Sequence, residues 1–206
     1  MMGINMKQKQ MWCWVILMLL CCGWTQAFGL AELSRQLQSP GNVQGAFVQQ
    51  RYLKSLTKPL TTEGKFALVP KKALFWHLQK PFVQQLRVRP DGVWQFNGGS
   101  WQKTTSHAAG QQRQMQLFLD LLGGNAQGLQ NQFETKLSGT AQQWHLVLLP
   151  KTALMKQIFS RIDIQGDQAV RMVSILEKQG DKTVMRFVQV RLNVPLSGDA
   201  ARALAA

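Results

Sequence analysis

The chain has 206 residues, with 24 Lys and Arg against 10 Asp and Glu for a formal net charge of +14. A hydrophobic fraction of 45% is that of a folded domain, which excludes a disordered charged tail, and the length suffices for one sizeable core. Cys13, Cys21 and Cys22 all fall near the N-terminus, so neither a disulfide framework nor a cysteine metal site belongs to the body of the chain.

Residues 1–27 read as an export signal. Lys7 and Lys9 precede the uncharged apolar run Met11 to Cys22. At 1.5 Å per residue that run spans about 18 Å, short of the roughly 30 Å hydrocarbon core of a bilayer. The segment Thr25-Gln26-Ala27 suits cleavage after Ala27. The expected mature unit is a single domain, 28–206, located in the periplasm.

Leu30, Leu33 and Leu37 recur with helical spacing up to Pro40-Gly41, predicting a short amphipathic helix. Strand-like segments then follow at short intervals: 46–54, 64–69, 73–79, 83–89, 93–97 and 101–105, with Gly and Pro between them. Gly110–Leu122 interrupts them as a helix with a broad apolar face, ended by Gly123-Gly124. Strands resume at 133–137 and 144–149, with one helical turn expected at Thr152–Ile158. Three closing strands cover 159–165, 169–177 and 184–193. Alternation places Val184, Arg186, Val188, Val190 and Leu192 on one face of the last strand. Leu196–Ala206 is expected to fray. The fold class is mainly β (α+β): an incomplete antiparallel β-barrel, a strongly curved sheet closed by two or three short helices.

Signals for catalysis are weak. Ser55-Leu56-Thr57-Lys58 matches S-x-x-K, but it lies in a turn or strand and lacks a K-T-G partner. G-x-S-x-G, H-E-x-x-H and P-loop motifs are absent from the sequence. His77, His107 and His145 read as three unconnected histidines. No enzyme, no metal and no cofactor is expected.

The aromatic residues are more informative. Phe66, Phe75, Trp76, Phe82, Trp94, Phe96 and Trp101 crowd into strand-rich sequence. On 73–79, Leu74, Trp76 and Leu78 share one face, while Phe75 and His77 share the other. A sheet with bulky groups on both faces must cover both. A half-open barrel with the broad helix across its mouth would enclose an apolar cavity.

The run Val43-Gln-Gly-Ala-Phe-Val-Gln-Gln50, then Pro59-Leu60, Glu63-Gly64-Lys-Phe66, Leu74-Phe-Trp-His77, Pro81 and Asp91-Gly-Val-Trp94 resembles the periplasmic outer-membrane lipoprotein carriers, the LolA family, as a divergent member. The match runs over residues 30–195. The resemblance implies an apolar cavity holding the acyl chains of a lipoprotein or lipid, with delivery between an inner-membrane release complex and an outer-membrane receptor. It also implies that an arginine before the "[FL]-x-W" strand holds a lid closed; here that stretch is Pro70-Lys71-Lys72, and ammonium groups lack the guanidinium fork.

The expected ligand-binding residues are Phe47, Phe66, Leu74, Trp76, Leu78, Trp94 and Phe96 in the cavity, with Met115, Phe118, Leu119 and Leu122 on the lid. Lys71 and Lys72 are the expected lid-holding or partner-contact cations. The lid is Gly110–Gly124, with hinges at its two glycine sites. The expected function is that of a monomeric periplasmic carrier with no nucleic-acid partner. Relatives of this type also serve polyketide-pigment or glycolipid pathways, and a lipoprotein-sensing module of the same fold is a further reading. Loss of residues 1–27 would leave a charge of +12, spread over the strands without a basic block and suited to steering toward membrane headgroups or acidic partners.

Overall fold

The computed structural model describes residues 28–104 and 109–205, and only the backbone of 109–115. The expected signal segment 1–27 and His107 lie outside the described residues, as does the side chain of Met115. Helix α1 covers Leu30–Gln38. Six strands follow: β1 Val43–Tyr52, β2 Leu60–Val69, β3 Ala73–Lys80, β4 Gln84–Arg89, β5 Gly92–Phe96 and β6 Trp101–Lys103. Helices α2 Ala109–Leu122 and α3 Ala126–Gln132 lead into β7 Phe133–Thr140 and β8 Gln143–Pro150. The chain finishes with α4 Ala153–Ile158, β9 Phe159–Gly166, β10 Val170–Glu177, β11 Lys182–Leu192 and α5 Gly198–Ala205.

The strands form a single antiparallel sheet in the order β6-β5-β4-β3-β2-β1-β11-β10-β9-β8-β7. It curves strongly but does not close: β6 and β7 are its free edges. The curvature gives two unlike faces, because successive side chains point to opposite sides.

The inner face carries the main core. Phe47 of β1, Phe66 and Leu68 of β2, Leu74 and Trp76 of β3, and Val88 of β4 line one half. Leu146 and Leu148 of β8, Ile162 and Ile164 of β9, and Ile175 of β10 line the other. Helices α1 and α2 close over this face, burying Leu33 and Leu37 from the first and Leu117 to Leu122 in large part from the second. In α1, the Glu32 carboxylate accepts the Gly29 N–H at 3.1 Å and pairs with Arg35 at 2.7 Å, which fixes where the helix begins.

Two features depart from the sequence reading. Val184, Arg186, Val188, Val190 and Leu192 do not share a face. The β1–β11 register slips between Gln44 and Ala46, and Gln189 sits at φ 53. This bulge reverses the alternation. Met185 and Phe187 point inward before it, whereas Val190 and Leu192 pack on the inner core after it. The second departure is the C-terminal segment, which is helix α5 rather than a frayed tail. Its Ala200 and Ala203 pack on Ala67 and Phe75, covering the outer face of β2 and β3.

Candidate functional site

The centre of the inner face is a cluster of rings. Phe47 stacks on Trp76 with centroids 3.9 Å apart and planes at 21°. Phe187 meets Trp76 edge-on at 6.3 Å and Phe66 at 5.1 Å. Phe118 of α2 reaches down to Trp76 at 6.1 Å. Such offset and edge-on contacts between rings add about 0.5–1.5 kcal/mol each beyond area burial. Gly64 makes the stack possible, because a Cβ there would come within 2.6 Å of the Phe47 ring.

Helix α2 therefore plugs the barrel. Phe118, Leu119 and Leu122 are buried along with Leu117 and Leu121, so the apolar surface wraps well round the helix. A void persists where α2 meets α4. It measures about 460 Å³ and is lined mainly by Leu117, Leu154, Met155, Ile158 and Phe159. Three ionic side chains edge it: Asp120 from α2, Arg51 from the end of β1 and Glu177 from the end of β10.

The charges at this mouth are only partly compensated. Arg51 Nη2 pairs with Glu177 at 3.3 Å and lies 3.9 Å from Asp181. Its Nε is buried without a hydrogen-bond partner among the described residues. Burial pushes the Asp120 carboxyl above its usual range, against the opposing effect of the Asn125 amide that donates to it at 3.0 Å. Burial at the mouth thus disfavours the charged form of Asp120, and the unpartnered Arg51 Nε lies out of reach of solvent.

The residues expected from sequence divide into two sets. Phe47, Phe66, Leu74, Trp76, Phe118, Leu119 and Leu122 come together in the inner core, with Leu78 partly buried against it. They form the packed wall and plug rather than the lining of the 460 Å³ void. Trp94 and Phe96 lie on the opposite face. There Arg87, only 7% exposed, sits 5.4 Å from the Trp94 ring and 4.9 Å from that of Trp101, and Lys103 is 5.3 Å from Trp94. Phe96 packs on Trp101 at 5.3 Å. The physical reason is the pairing of Arg87 with Trp94, which puts both on the side away from Val88 and Val93.

The void's own lining was not picked out from sequence. The broad apolar face expected for Gly110–Leu122 does not single out Leu117, and Thr152–Ile158 is expected only as one helical turn. The six residues of α4 carry too little pattern to show that Met155 points inward while Leu154 stays partly open.

Lys71 and Lys72 form the β2–β3 turn, where the Lys72 N–H donates to Val69 at 3.0 Å and Lys71 adopts φ 63. Lys71 borders a surface depression with Gln116, Asp120, Gly123 and Asn125, at the C-terminal end of α2. Neither lysine forms an ion pair among the described residues. That end of α2 is held instead by α1: Ser34 Oγ and Gln38 Nε2 both donate to the Gly124 carbonyl, at 2.5 and 2.7 Å. Gly124 has φ 67, and a Cβ on it would strike Leu37, so only glycine fits where α1 and α2 approach.

The remaining polar candidates stand apart. His145 Nε2 lies 2.8 Å from Asp163, itself bonded by Arg161 at 2.7 Å, on the outer face of β8 and β9. Ser55 and Lys58 lie exposed in the β1–β2 loop. Among the described residues, no group of three His, Cys, Asp or Glu could hold a metal ion. A broader depression of about 600 Å³ on the outer face, beside the start of α5, has Lys65, His77 and Arg191 in its lining.

The family model described as outer membrane lipoprotein carrier protein LolA matches residues 39–200. The chain belongs to the LolA family. Among solved structures, a LolA superfamily protein from Nitrosomonas europaea has a TM-score of 0.46 at 7% identity, covering 82% of this chain and 94% of its own. MucB has a TM-score of 0.48 at 15% identity, covering 84% of this chain and 62% of its own. In the MucA/MucB complex of Pseudomonas aeruginosa the values are 0.47 and 15%, with 82% and 58% covered. This chain thus spans under two thirds of those MucB chains. No curated protein matches the sequence.

LolA-family proteins are carrier and binding proteins, and this chain has their unclosed, helix-plugged sheet. The Gly124 carbonyl that follows α2 is held by Ser34 and Gln38, and Lys71 stands beside that end without an ion pair among the described residues.

Proposed function

We propose that this protein is a periplasmic carrier that shields the acyl chains of a lipoprotein or lipid and moves them from the inner toward the outer membrane. The observation that carries this reading is the seam under α2. The 460 Å³ apolar void abuts a helix whose Phe118 and Leu122 fill the rest of the barrel. Displacing α2 about its Gly124 end would join void and barrel into one apolar trough floored by Phe47 and Trp76. Phe118, Leu119 and Leu122 would then line the acyl chain.

Energetics make such a device workable. Burying a chain of 14 to 16 carbons at about 0.8 kcal/mol per CH₂ is worth on the order of 10 kcal/mol. That gain is offset by unseating α2, so loading and release become an exchange of one apolar occupant for another. An inner-membrane release complex and an outer-membrane receptor are the partners the family suggests. A pigment or glycolipid pathway, or a lipoprotein-sensing role, would use the same trough with a different cargo or outcome.

The test is binding of a fluorescent fatty acid to the purified protein, with organic extraction and mass spectrometry for co-purified lipid. Phe118→Asp is expected to abolish binding while leaving the β circular-dichroism signal intact. Wild-type protein that neither binds the probe nor carries lipid would sink the reading. Rescue of a strain depleted of its main lipoprotein carrier separates a general carrier from a pathway-specific one.

A further inference from the structure

The two ends of the curved sheet differ sharply in what they expose. The strand registers bring the β1–β2 loop, the β3–β4 turn, α4 and the β10–β11 turn to one end, since Tyr52 pairs with Lys182, Arg51 with Leu60 and Glu177 with Phe159. Eight large hydrophobic residues are exposed among the described residues, and six of them are here: Tyr52, Leu56, Leu60, Phe82, Val83 and Leu154. Phe82 and Val83 are the most open, at 73% and 72%. The opposite end, with turns at 39–42, 70–72, 90–91 and 167–169, exposes no large hydrophobic residue of that list.

Charge is weighted the same way, although the opposite end also carries Lys71 and Lys72 without ion pairs among the described residues. Lys54, Lys58, Lys151, Lys156, Lys178 and Lys182 all lie at the apolar end, and none is ion-paired among the described residues. The acids nearest them are already engaged: Glu63 by Lys80 at 2.9 Å, and Glu177 and Asp181 by Arg51. This rim is therefore apolar at its loop tips and positive between them. From β3 to β9 it crosses five strand spacings, about 24 Å at roughly 4.8 Å each.

We propose that this end docks on a bilayer surface rich in anionic phospholipid. Phe82, Val83, Leu56 and Leu60 enter the boundary between headgroups and acyl chains, while the six lysines lie against lipid phosphates. The apolar tips belong to separate loops spread around a rim, a layout that fits a broad surface better than a single peptide groove. Lysine stems reach along apolar surface and keep their ammonium groups at the polar level, as membrane-surface proteins use them. Arg51, Leu154 and Glu177 at this end also border the 460 Å³ void, so docking would bring that mouth to the lipid. The surface assignment does not depend on what the void holds.

The test is co-sedimentation of the purified protein with vesicles of three parts phosphatidylcholine to one part phosphatidylglycerol, and with phosphatidylcholine alone. Binding to the mixed vesicles is expected to be at least about tenfold tighter and to weaken as salt screens the lysines. Phe82→Asp with Val83→Asp should remove it, while fluorescent fatty-acid binding in solution and circular dichroism stay as in the wild type. Lys54→Gln with Lys58→Gln should reduce the preference for phosphatidylglycerol. Arg35→Gln with Arg171→Gln, at the other end, should change nothing. A wild type that ignores the mixed vesicles, or equal losses from variants at both ends, overturns the proposal.

Discussion

Strand β3 separates two aromatic regions that look alike in sequence and differ in kind. On its inner side Trp76 is surrounded by Phe47, Phe66, Phe118 and Phe187, a ring cluster with no charged member. On its outer side Phe75 and Trp101 meet edge-on at 6.3 Å, and the space beyond is filled by Arg87 between Trp101 and Trp94. Arg87 Nη1 donates to the Ala203 carbonyl at 3.3 Å, near the C-terminus of α5, where the helix dipole favours a cation. Burial lowers the pKa of this guanidinium from its ordinary value, and Arg89 nearby adds to the effect, yet arginine stays charged. On the proposed reading one face exchanges its occupant for another apolar body, whereas the other is held by a cation that needs its partners.

The sharpest way to break this contrast is at Trp76. Trp76→Ala should cost about 3–5 kcal/mol, visible as a large fall in the thermal midpoint, because it empties the centre of the ring cluster. Removing residues 196–206 should cost less, about 1–3 kcal/mol, by uncovering Ala67 and Phe75 and leaving Arg87 without its acceptor. It should leave fatty-acid binding intact; loss of binding would show that the outer cover also shapes the trough. Trp94→Ala should cost about 1 kcal/mol, the scale of a partly exposed cation–π contact, again without changing fatty-acid affinity. If Trp94→Ala weakens binding as much as Trp76→Ala does, the two faces are not independent.

The smallest effect is expected at Asp120. Its carboxyl is raised by burial, so its contribution to stability is present below the unfolded value of about 3.9 and is lost as pH rises through the folded value. Asp120→Asn should therefore gain on the wild type as pH increases from 4 to 7. Comparing the two proteins at each pH removes the opposite trend from Asp163, whose carboxyl is lowered chiefly by its hydrogen bond from Arg161. A difference that does not change with pH would mean that the α2 end is already hydrated.

Most strands were legible because Gly and Pro punctuate them and each buries one alternating face. Gly110–Leu122 was legible because its leucines and Phe118 recur at helical spacing. Helix α3 was not, since Leu129 is its one buried apolar side chain and Gly128 sits inside it; it is set by the Asn125 side chain accepting from the Gly128 N–H at 3.1 Å. Helix α5 escaped notice because its buried face is alanine, too small to register as an apolar stripe. That Trp76 shares the inner face with Leu74 and Leu78 followed from their parity, whereas the part of Phe187 in the ring cluster did not. The placing of Trp94 and Phe96 did not, because their face is fixed by the register of β5 on β4. Nor could sequence foresee that Ser34 and Gln38 tie Gly124, a contact between residues far apart in the chain.

An unclosed sheet also has a social consequence. The two edge strands carry backbone donors and acceptors that another copy of the chain could extend. One edge, β6, is three residues long and ends in Lys103. The other, β7, holds Glu134 and Lys136 with exposed side chains and a glycine at φ 96. Brevity at one side, and charge with a kink at the other, discourage edge-to-edge stacking. An incomplete barrel can thus leave its seam unstitched without growing into fibres.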